Sequence, residues 1–179
     1  MILLIDRALK KFARYWRKRV FCLSTNNKKK KIQLFGKITC INHNVQCGDN
    51  VRFYPDVMLF GDGKIQIDNG VDIGNGTIIY ASKAGGVTIG EHTMIAAQCY
   101  IIDSDHGMKK GIKMYSQPNI VEAVSIGKDV WIGAGAKILR GSKIGDGAVI
   151  GANSVVKGEI PENAIAVGCP AKVIKYREE

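Results

Sequence analysis

The sequence lacks the patterns that mark several classes of protein. Its 5 cysteines form no C-x-x-C pair and show no metal-ligand spacing. Its opening residues, MILLIDRALKK, reach a charge at Asp6 before the apolar run is long enough for a secretory signal or a membrane span. We therefore expect reduced thiols in a cytoplasmic protein. Only 4 prolines accompany 21 glycines, which indicates many tight turns rather than disorder.

Acidic residues are nearly absent from the first 31 residues. This segment has eleven Lys and Arg against Asp6, a net charge of +10 (11 − 1), whereas residues 32–179 have fifteen basic and fifteen acidic residues. We therefore predict two parts, a basic arm of residues 1–31 and a neutral domain of residues 32–179. The neutral domain has no RNA- or DNA-binding motif, so no nucleic-acid partner is expected.

The neutral domain repeats an apolar residue every six positions. An α-helix repeats near 3.6 residues and a half-buried strand at 2, so neither explains this period. Six residues fit one short strand plus one corner, and three such sides close a triangular coil. Stacked coils bury a continuous apolar column, which predicts an all-β fold, a parallel β-helix shaped as a triangular prism. Seventeen hexads begin at Phe35, Ile41, Cys47, Phe53, Leu59, Ile67, Ile73, Ile79, Ile89, Ile95, Ile101, Ile126, Ile132, Ile138, Ile144, Ile150 and Val156.

The interruptions of the period support a triangular coil. The step to the next hexad is eight residues after Leu59, ten after Ile79 and twenty-five after Ile101, and each longer step follows a third hexad. All insertions should therefore leave from one corner of the prism. The largest, residues 103–124, begins around the motif DSDHG. The final segment, PENAIAVGCPAKVIKYREE, drops the period and is expected to cap the open end.

Together the hexads, DSDHG, VWIGAGAKI and PENAIAVGCPAKVI resemble the bacterial hexapeptide-repeat acetyltransferases. The nearest groups are the galactoside/maltose acetyltransferases and the enzymes that O-acetylate cell-surface polysaccharides. The hexads alone imply only the left-handed β-helix, whereas the combination implies an acetyl-CoA-dependent homotrimer that acetylates a hydroxyl of a sugar or cell-surface glycan precursor. Two alternatives stay open: a free acceptor such as maltose, a galactoside, an amino sugar or serine, and a non-catalytic scaffold.

The resemblance places a general base at His106, at the mouth of the insertion. This histidine would take the proton from the acceptor hydroxyl as the oxygen attacks the thioester carbonyl. Asp103 or Asp105 would either orient the imidazole or simply keep the loop hydrated. Asp105, and Tyr115 in a YS-x-P stretch, are expected to contact the acceptor.

Five residues match contacts to coenzyme A in the resembled family. Ala134 follows WIG, and Ala152 lies in IGAN. Lys157 occupies a place where the family often has threonine. Lys172 and Lys175 stand where basic residues meet the coenzyme's phosphates, as point charges without the fork of arginine.

A metal site is not expected. The same prism occurs in γ-type carbonic anhydrases, whose metal needs three histidines. Here the three histidines, His43, His92 and His106, are separated by 49 and 14 residues and occupy different hexad positions. They should not converge on one zinc ion.

The basic arm has two possible roles. An apolar stripe is surrounded by basic residues, and four lysines, Lys28–Lys31, follow. Such a helix can lie in the interface of an anionic membrane, here the cytoplasmic face of the inner membrane. It can also dock its stripe on the open end of the prism as a cap. The stripe consists of Ile5, Leu9, Phe12, Trp16 and Val20, and the basic residues are Arg7, Lys10, Lys11, Arg14, Arg17 and Lys18.

Overall fold

A computed structural model describes residues 2–25, 27 and 30–178. One helix, α1 (Ile2–Ser24), precedes the strands, and a single 3-10 turn, Met114–Ser116, interrupts them within this described part. In chain order the strands are β1 (Gln33–Leu34), β2 (Thr39–Cys40), β3 (Val45–Cys47), β4 (Arg52–Phe53), β5 (Met58–Phe60), β6 (Lys64–Ile67), β7 (Asp72–Ile73), β8 (Ile78–Tyr80), β9 (Gly86–Ile89), β10 (Met94–Ile95), β11 (Tyr100–Ile102), β12 (Ser104–Asp105), β13 (Ile120–Val121), β14 (Val124–Ile126), β15 (Trp131–Ile132), β16 (Lys137–Ile138), β17 (Lys143–Ile144), β18 (Val149–Ile150), β19 (Val155–Val156), β20 (Glu159–Ile160), β21 (Ala164–Val167) and β22 (Lys172–Tyr176).

The strands form the three faces of a prism. Face A has the order β1-β4-β7-β10-β15-β18-β21-β22, face B the order β2-β5-β8-β11-β16-β19, and face C the order β3-β6-β9-β14-β17-β20. Successive strands of the chain pass from face A to B to C, and strands within a face pair in parallel, except that β22 runs antiparallel to β21. A separate antiparallel ribbon joins β12 to β13. The predicted parallel β-helix is confirmed.

Three columns of side chains fill the prism, one behind each face. Paired strands keep their inward residues in register from coil to coil. Burying one aliphatic side chain of this size contributes about 1.5–3 kcal/mol, so the columns are the main source of stability. The columns are Leu34, Phe53, Ile73, Ile95, Ile132, Ile150 and Ala166 on face A; Cys40, Leu59, Ile79, Ile101, Ile138 and Val156 on face B; and Cys47, Ile67, Ile89, Ile126, Ile144 and Ile160 on face C.

The first coil differs from the prediction by one residue. The period predicts inward positions at Phe35 and Ile41, but these side chains are 43% and 62% exposed. Leu34, which is 2% exposed, and Cys40 occupy the inward positions instead. Both predicted starts are wrong, because each inward residue is followed directly by another apolar residue. The corner before Cys47 also has one residue more than a hexad allows, so counting back in sixes shifts the frame.

The insertions leave from one corner of the prism, as predicted. From face B to face C the inward residues are 7 (47 − 40), 8 (67 − 59), 10 (89 − 79), 25 (126 − 101), 6 (144 − 138) and 4 (160 − 156) residues apart in successive coils. At the other two corners the inward residues are 6 residues apart in every coil (59 − 53 and 73 − 67, for example). Everything that departs from the repeat is therefore concentrated at the B–C corner, and the 25-residue step contains the largest insertion.

A helix covers one end of the prism, whereas at the other end the coil continues into the final segment. The end of α1 covers the first coil: the ring of Phe21 meets that of Phe53 edge-on at 5.4 Å, and Asn27 donates to the carbonyl of Val45 and accepts from the Cys47 amide. At the other end Ile160 continues the core further than predicted, and β22 then folds back along the edge of face A.

The predicted apolar stripe of the arm is not what caps the prism. Leu9, Phe12, Trp16 and Val20 are all exposed. The side chains of Ile5, Arg7 and Arg14, and the residues Lys28 and Lys29, lie outside the described residues. No helix in the described part of the chain is long and apolar enough to cross a membrane.

Candidate active site

The insertion at the B–C corner is anchored by a buried carboxylate. Asp103, which follows β11, is fully buried, and its two oxygens accept hydrogen bonds from the amides of Ser82 and Gly86 at 2.8–2.9 Å. These amides belong to the corner of the preceding coil. Gly85 leaves the necessary space, since a Cβ there would lie 2.4 Å from an Asp103 oxygen. Asp103 therefore has a structural role at the root of the insertion.

Arg140 joins the two strands of the inserted ribbon. Its Nε donates to Asp105 of β12 at 3.0 Å, and its Nη1 donates to Glu122, just after β13, at 3.1 Å. Arg140 is only 19% exposed and lies at the corner of the next coil. Gly141 beside it has a φ of +72°, and a Cβ there would meet the Glu122 carboxylate. The ribbon is thus held on one side by Asp103 and on the other by Arg140.

The outer part of the insertion is closed by one side-chain amide. Gln117 accepts from the Lys109 amide at 2.8 Å and donates to the carbonyls of Lys109 and Ile112 at 3.1 and 2.9 Å. Tyr115 lies on the 3-10 turn at the tip, is 82% exposed, and contacts only the Lys113 ammonium among the contacts described. The structure does not bring Tyr115 near the residues at the root of the loop.

His106 lies at the mouth of a cleft between the inserted ribbon and the outside of face B. The cleft has a volume of about 490 Å³, and the His106 side chain is exposed. Burial, and next the neighbouring Tyr80, raise the pKa of the Tyr100 phenol, so this phenol remains a neutral donor. The lining residues are Tyr80, Tyr100, Ile102, Ser104, Asp105, His106, Asn119 and Leu139.

The carboxylates near His106 are engaged elsewhere. Asp103 is bound by backbone amides and Asp105 by Arg140. Among the described contacts, His106 has no hydrogen bond to either. The imidazole is therefore positioned through the backbone of the ribbon, which leaves both ring nitrogens available to a ligand.

The residues that match coenzyme A contacts lie at two corners. Ala134 and Ala152 are exposed and stacked at the A–B corner, where the Asn153 amide donates to the Ala134 carbonyl at 2.8 Å. Both side chains are small and exposed, so no bulky group covers the corner at these positions, and we call this stretch of surface the groove over Ala134 and Ala152. Lys172 begins the exposed strand β22 close to this groove, and Lys175 follows on the same strand. Lys157 lies instead at the B–C corner, one coil beyond Arg140.

The three histidines are far apart in the fold. His43 lies at the B–C corner of the first coil, His92 at the C–A corner, and His106 in the insertion. Across the described ranges, no group of three or more His, Cys, Asp and Glu side chains could hold a metal ion.

Sequence reasoning missed most of the cleft. Tyr80, Tyr100 and Leu139, which come from three coils, were not predicted as site residues, and neither were Asn119 and Arg140. The repeat does contain a signal for the first three, because each flanks an inward residue and must point outward on face B. Large apolar side chains at outward positions next to the largest insertion could have indicated a ligand surface.

Comparisons with known proteins agree with this architecture. Residues 123–158 match the family described as bacterial transferase hexapeptide (six repeats). The chain is 41% identical over 129 residues to "Putative lipopolysaccharide biosynthesis O-acetyl transferase WbbJ" of Escherichia coli K12, a match that covers 67% of this chain and 65% of that protein. It is 40% identical over 93 residues to the galactoside O-acetyltransferase of the same organism, covering 50% of this chain and 43% of that protein. The chain thus spans less than two thirds of these curated relatives.

Solved structures show the same fold. AntD, an N-acyltransferase from Bacillus cereus in complex with dTDP and coenzyme A, superposes with a TM-score of 0.73 at 26% identity, covering 83% of each chain. A maltose O-acetyltransferase from Clostridium difficile superposes with a TM-score of 0.53 at 29% identity, covering 93% of this chain and 87% of that one. These matches confirm the resemblance to hexapeptide-repeat acetyltransferases.

Proposed function

We propose that this hexapeptide-repeat protein is an acetyl-CoA-dependent O-acetyltransferase that acetylates a hydroxyl of a sugar or cell-surface glycan precursor, with His106 as the general base. The observation that carries the proposal is the cleft of about 490 Å³ with His106 at its mouth. Relatives named as O-acetyltransferases of lipopolysaccharide biosynthesis and of galactosides support it.

The chemistry needs a base because an alcohol is almost entirely protonated at neutral pH. A ring nitrogen of His106 takes the hydroxyl proton while the acceptor oxygen bonds to the thioester carbonyl carbon. The carbon–sulfur bond then breaks, and the imidazolium returns the proton to the departing thiolate. Because donor and acceptor meet in one ternary complex, no covalent acetyl-enzyme is required.

The cleft suits a sugar ring as acceptor. Tyr80, Tyr100 and Ile102 offer an apolar surface, and the Asn119 amide and the Ser104 hydroxyl supply hydrogen-bonding groups at its edge. Asp105, which also lines the cleft, keeps one carboxylate oxygen free of Arg140 and can accept from an acceptor hydroxyl. Few charged groups face the cleft, which favours a neutral acceptor.

The donor is held by residues of the A–B corner and strand β22. The groove over Ala134 and Ala152 admits a slender chain such as pantetheine, and Lys172 and Lys175 offer exposed ammonium groups to its phosphates. Lys157, at the B–C corner, is also assigned to donor binding. Acetyl-CoA is the acyl donor and supplies the thioester; no metal is assigned a role.

The active enzyme is a homotrimer with its sites between subunits. Within one chain the groove at the A–B corner and His106 at the B–C corner lie at opposite edges of face B, so that a neighbouring chain is needed to complete the site. The insertion also carries exposed apolar side chains that a neighbour would bury: Met108, Ile112, Met114, Tyr115 and Ile120. Tyr115 would then contact the acceptor in the neighbouring subunit's site.

The location follows from the donor. Acetyl-CoA is a cytoplasmic metabolite, so we place the enzyme in the cytoplasm, with residues 1–31 available for peripheral contact with the inner face of the membrane.

An amine acceptor is the second candidate, because AntD, with the similar fold, is an N-acyltransferase. A screen with radiolabelled acetyl-CoA decides between the two. The acceptors are maltose, a galactoside, a nucleotide-linked amino sugar, serine and a cell-surface polysaccharide preparation. Hydroxylamine-labile product on a neutral sugar or glycan supports O-acetylation, and stable product only on amines contradicts it. Absence of turnover together with absence of coenzyme A binding would favour a scaffold.

A further inference from the structure

Helix α1 has an apolar face that the body of the protein does not bury. Leu9, Phe12, Trp16, Val20 and Leu23 recur every three or four residues, so that they share one side of the helix. Each of these side chains is more than half exposed. A contiguous exposed apolar face of this kind marks an interaction site. They include four residues of the predicted stripe and add Leu23, while the side chain of Ile5 lies outside the described residues; from here the apolar stripe means these five residues.

The helix is attached to the prism through a different side. Phe21 is 4% exposed against Phe53, and Cys22 is 7% exposed in the same core. At 3.6 residues per turn, both project more than about 100° away from the centre of the apolar stripe. Trp16 and Val20 border a depression that Lys37, Ile38 and Cys40 of the first coil also line, but each stays more than half exposed, so a second partner can contact the stripe while the prism holds Phe21 and Cys22.

The charge around the stripe has one sign. Between Asp6 and Asp49 the sequence has twelve Lys and Arg and no acidic residue. Among the described residues, Lys11, Arg17 and Arg19 form no ion pair with a carboxylate. A second copy of α1 would bring many like charges together with Asp6 as the single acidic residue of each helix, which disfavours a helix bundle. An anionic surface matches both the charge and the apolar stripe.

We propose that α1, docked on the prism through Phe21 and Cys22, lies in the interface of an anionic lipid bilayer with the apolar stripe among the acyl chains. Long basic side chains beside the stripe reach the headgroups while their stems remain in apolar surroundings. The two roles open to the arm are thus divided between two sides of one helix, since Phe21 and Cys22 pack on the first coil and the stripe binds lipid. The inference is independent of the proposed reaction, because no residue of α1 lines the cleft.

Co-sedimentation of the full chain with vesicles tests the proposal. Vesicles of phosphatidylcholine with phosphatidylglycerol are compared with vesicles of phosphatidylcholine alone at physiological ionic strength. We expect the full chain to bind the anionic vesicles and to be released as salt is raised. The double substitution Phe12→Ser/Trp16→Ser should lower partitioning by at least about 10-fold, since it removes two large side chains from the apolar phase.

A matched control separates lipid binding from general loss of apolar surface. Ile41→Ser removes an apolar side chain that is 62% exposed on the first coil, and it should leave vesicle binding unchanged. The melting temperatures of all variants should agree, because none of the substituted side chains is buried. The chain has 2 tryptophans, so in a Trp131→Phe variant Trp16 is the one that remains. Its fluorescence emission should shift to the blue on anionic vesicles only.

Three outcomes would overturn the proposal. The first is a full chain that does not bind anionic vesicles. The second is a double variant that binds as well as the full chain. The third is a double variant whose assembly becomes smaller while neither protein binds vesicles, which would assign the stripe to a second copy of the chain.

Discussion

Replacing Arg140 with Met should release the inserted ribbon that carries His106. The bond from Arg140 to Asp105 joins side chains that are 19% and 30% exposed, and a charge-assisted hydrogen bond of this kind contributes about 1.5–3 kcal/mol. Its partner Glu122 is 58% exposed, so solvent reduces that pair to about 0.2–1 kcal/mol. The ribbon therefore loses about 2–4 kcal/mol of local attachment, most of it at Asp105.

The expected kinetic effect is a loss of turnover without loss of donor binding. A misplacement of about 1 Å can lower a rate about 100-fold, so we expect kcat to fall about 10- to 100-fold in Arg140→Met. The KM for acetyl-CoA should stay within about twofold, because the groove over Ala134 and Ala152 lies at another corner. Asp105→Asn should show a similar but smaller loss, and Glu122→Gln little change.

The double variant Arg140→Met/His106→Ala tests whether Arg140 acts through His106. If it does, the double variant should turn over at the same rate as His106→Ala alone, because residues that act as a unit are not additive. Losses that multiply in the double variant would refute the reasoning, and so would an Arg140→Met enzyme with normal kcat.

Three further outcomes follow from the structure. Leu34→Ala should destabilise the protein by about 2–5 kcal/mol in urea denaturation, whereas Phe35→Ala should cost under about 1.5 kcal/mol, and the reverse order would reject the register of the first coil. Burial raises the pKa of the Cys40 thiol to about 11 and also raises the pKa values of Cys22, Cys47 and Cys99. At pH 8 only the exposed Cys169 should therefore react quickly with a disulfide reagent. The substitution Cys169→Ser should abolish the fast phase of this reaction. Light scattering at micromolar concentration should give a mass three times that of the 19.5 kDa chain. The double variant Met114→Lys/Tyr115→Lys should be a monomer with little activity. A fully active monomer of the unaltered chain would contradict the proposed trimer.

The sequence was sufficient for the prism because its period is unlike that of a helix or an ordinary strand. From Cys47 to Val156 the predicted inward residues coincide with those observed, and the long steps after Leu59, Ile79 and Ile101 locate the B–C corner. The six-residue period misplaced the inward residues only in the first coil, where each inward residue is followed directly by another apolar residue.

The site was less accessible to sequence reasoning than the fold. A motif locates His106, but Tyr80, Tyr100 and Arg140 join it from three different coils, through contacts that no local spacing encodes. The role of Asp103 was likewise open in sequence, and only its hydrogen bonds from the backbone amides of Ser82 and Gly86 identify it as an anchor.

The contacts of the basic arm could not be predicted from its sequence either. Its helical period and charge predict an amphipathic helix, and α1 spans Ile2–Ser24. Which side faces the prism depends on Phe21 and Cys22, two residues outside the apolar stripe. Their burial is decided by the open end of the first coil, a surface that exists only after the prism has formed.

The measurement that tests the account most directly is single-turnover acetyl transfer by His106→Ala, with binding of acetyl-CoA followed by calorimetry on the same sample. General-base assistance contributes about 10²–10⁴-fold, so the rate constant should fall at least about 100-fold. The dissociation constant of acetyl-CoA should remain nearly unchanged, since the proposed contacts to the donor are made by Ala134, Ala152 and the lysines, and His106 acts on the acceptor hydroxyl. Near-normal transfer by the variant, or an equal loss of donor binding, would contradict the assignment of His106 as the base.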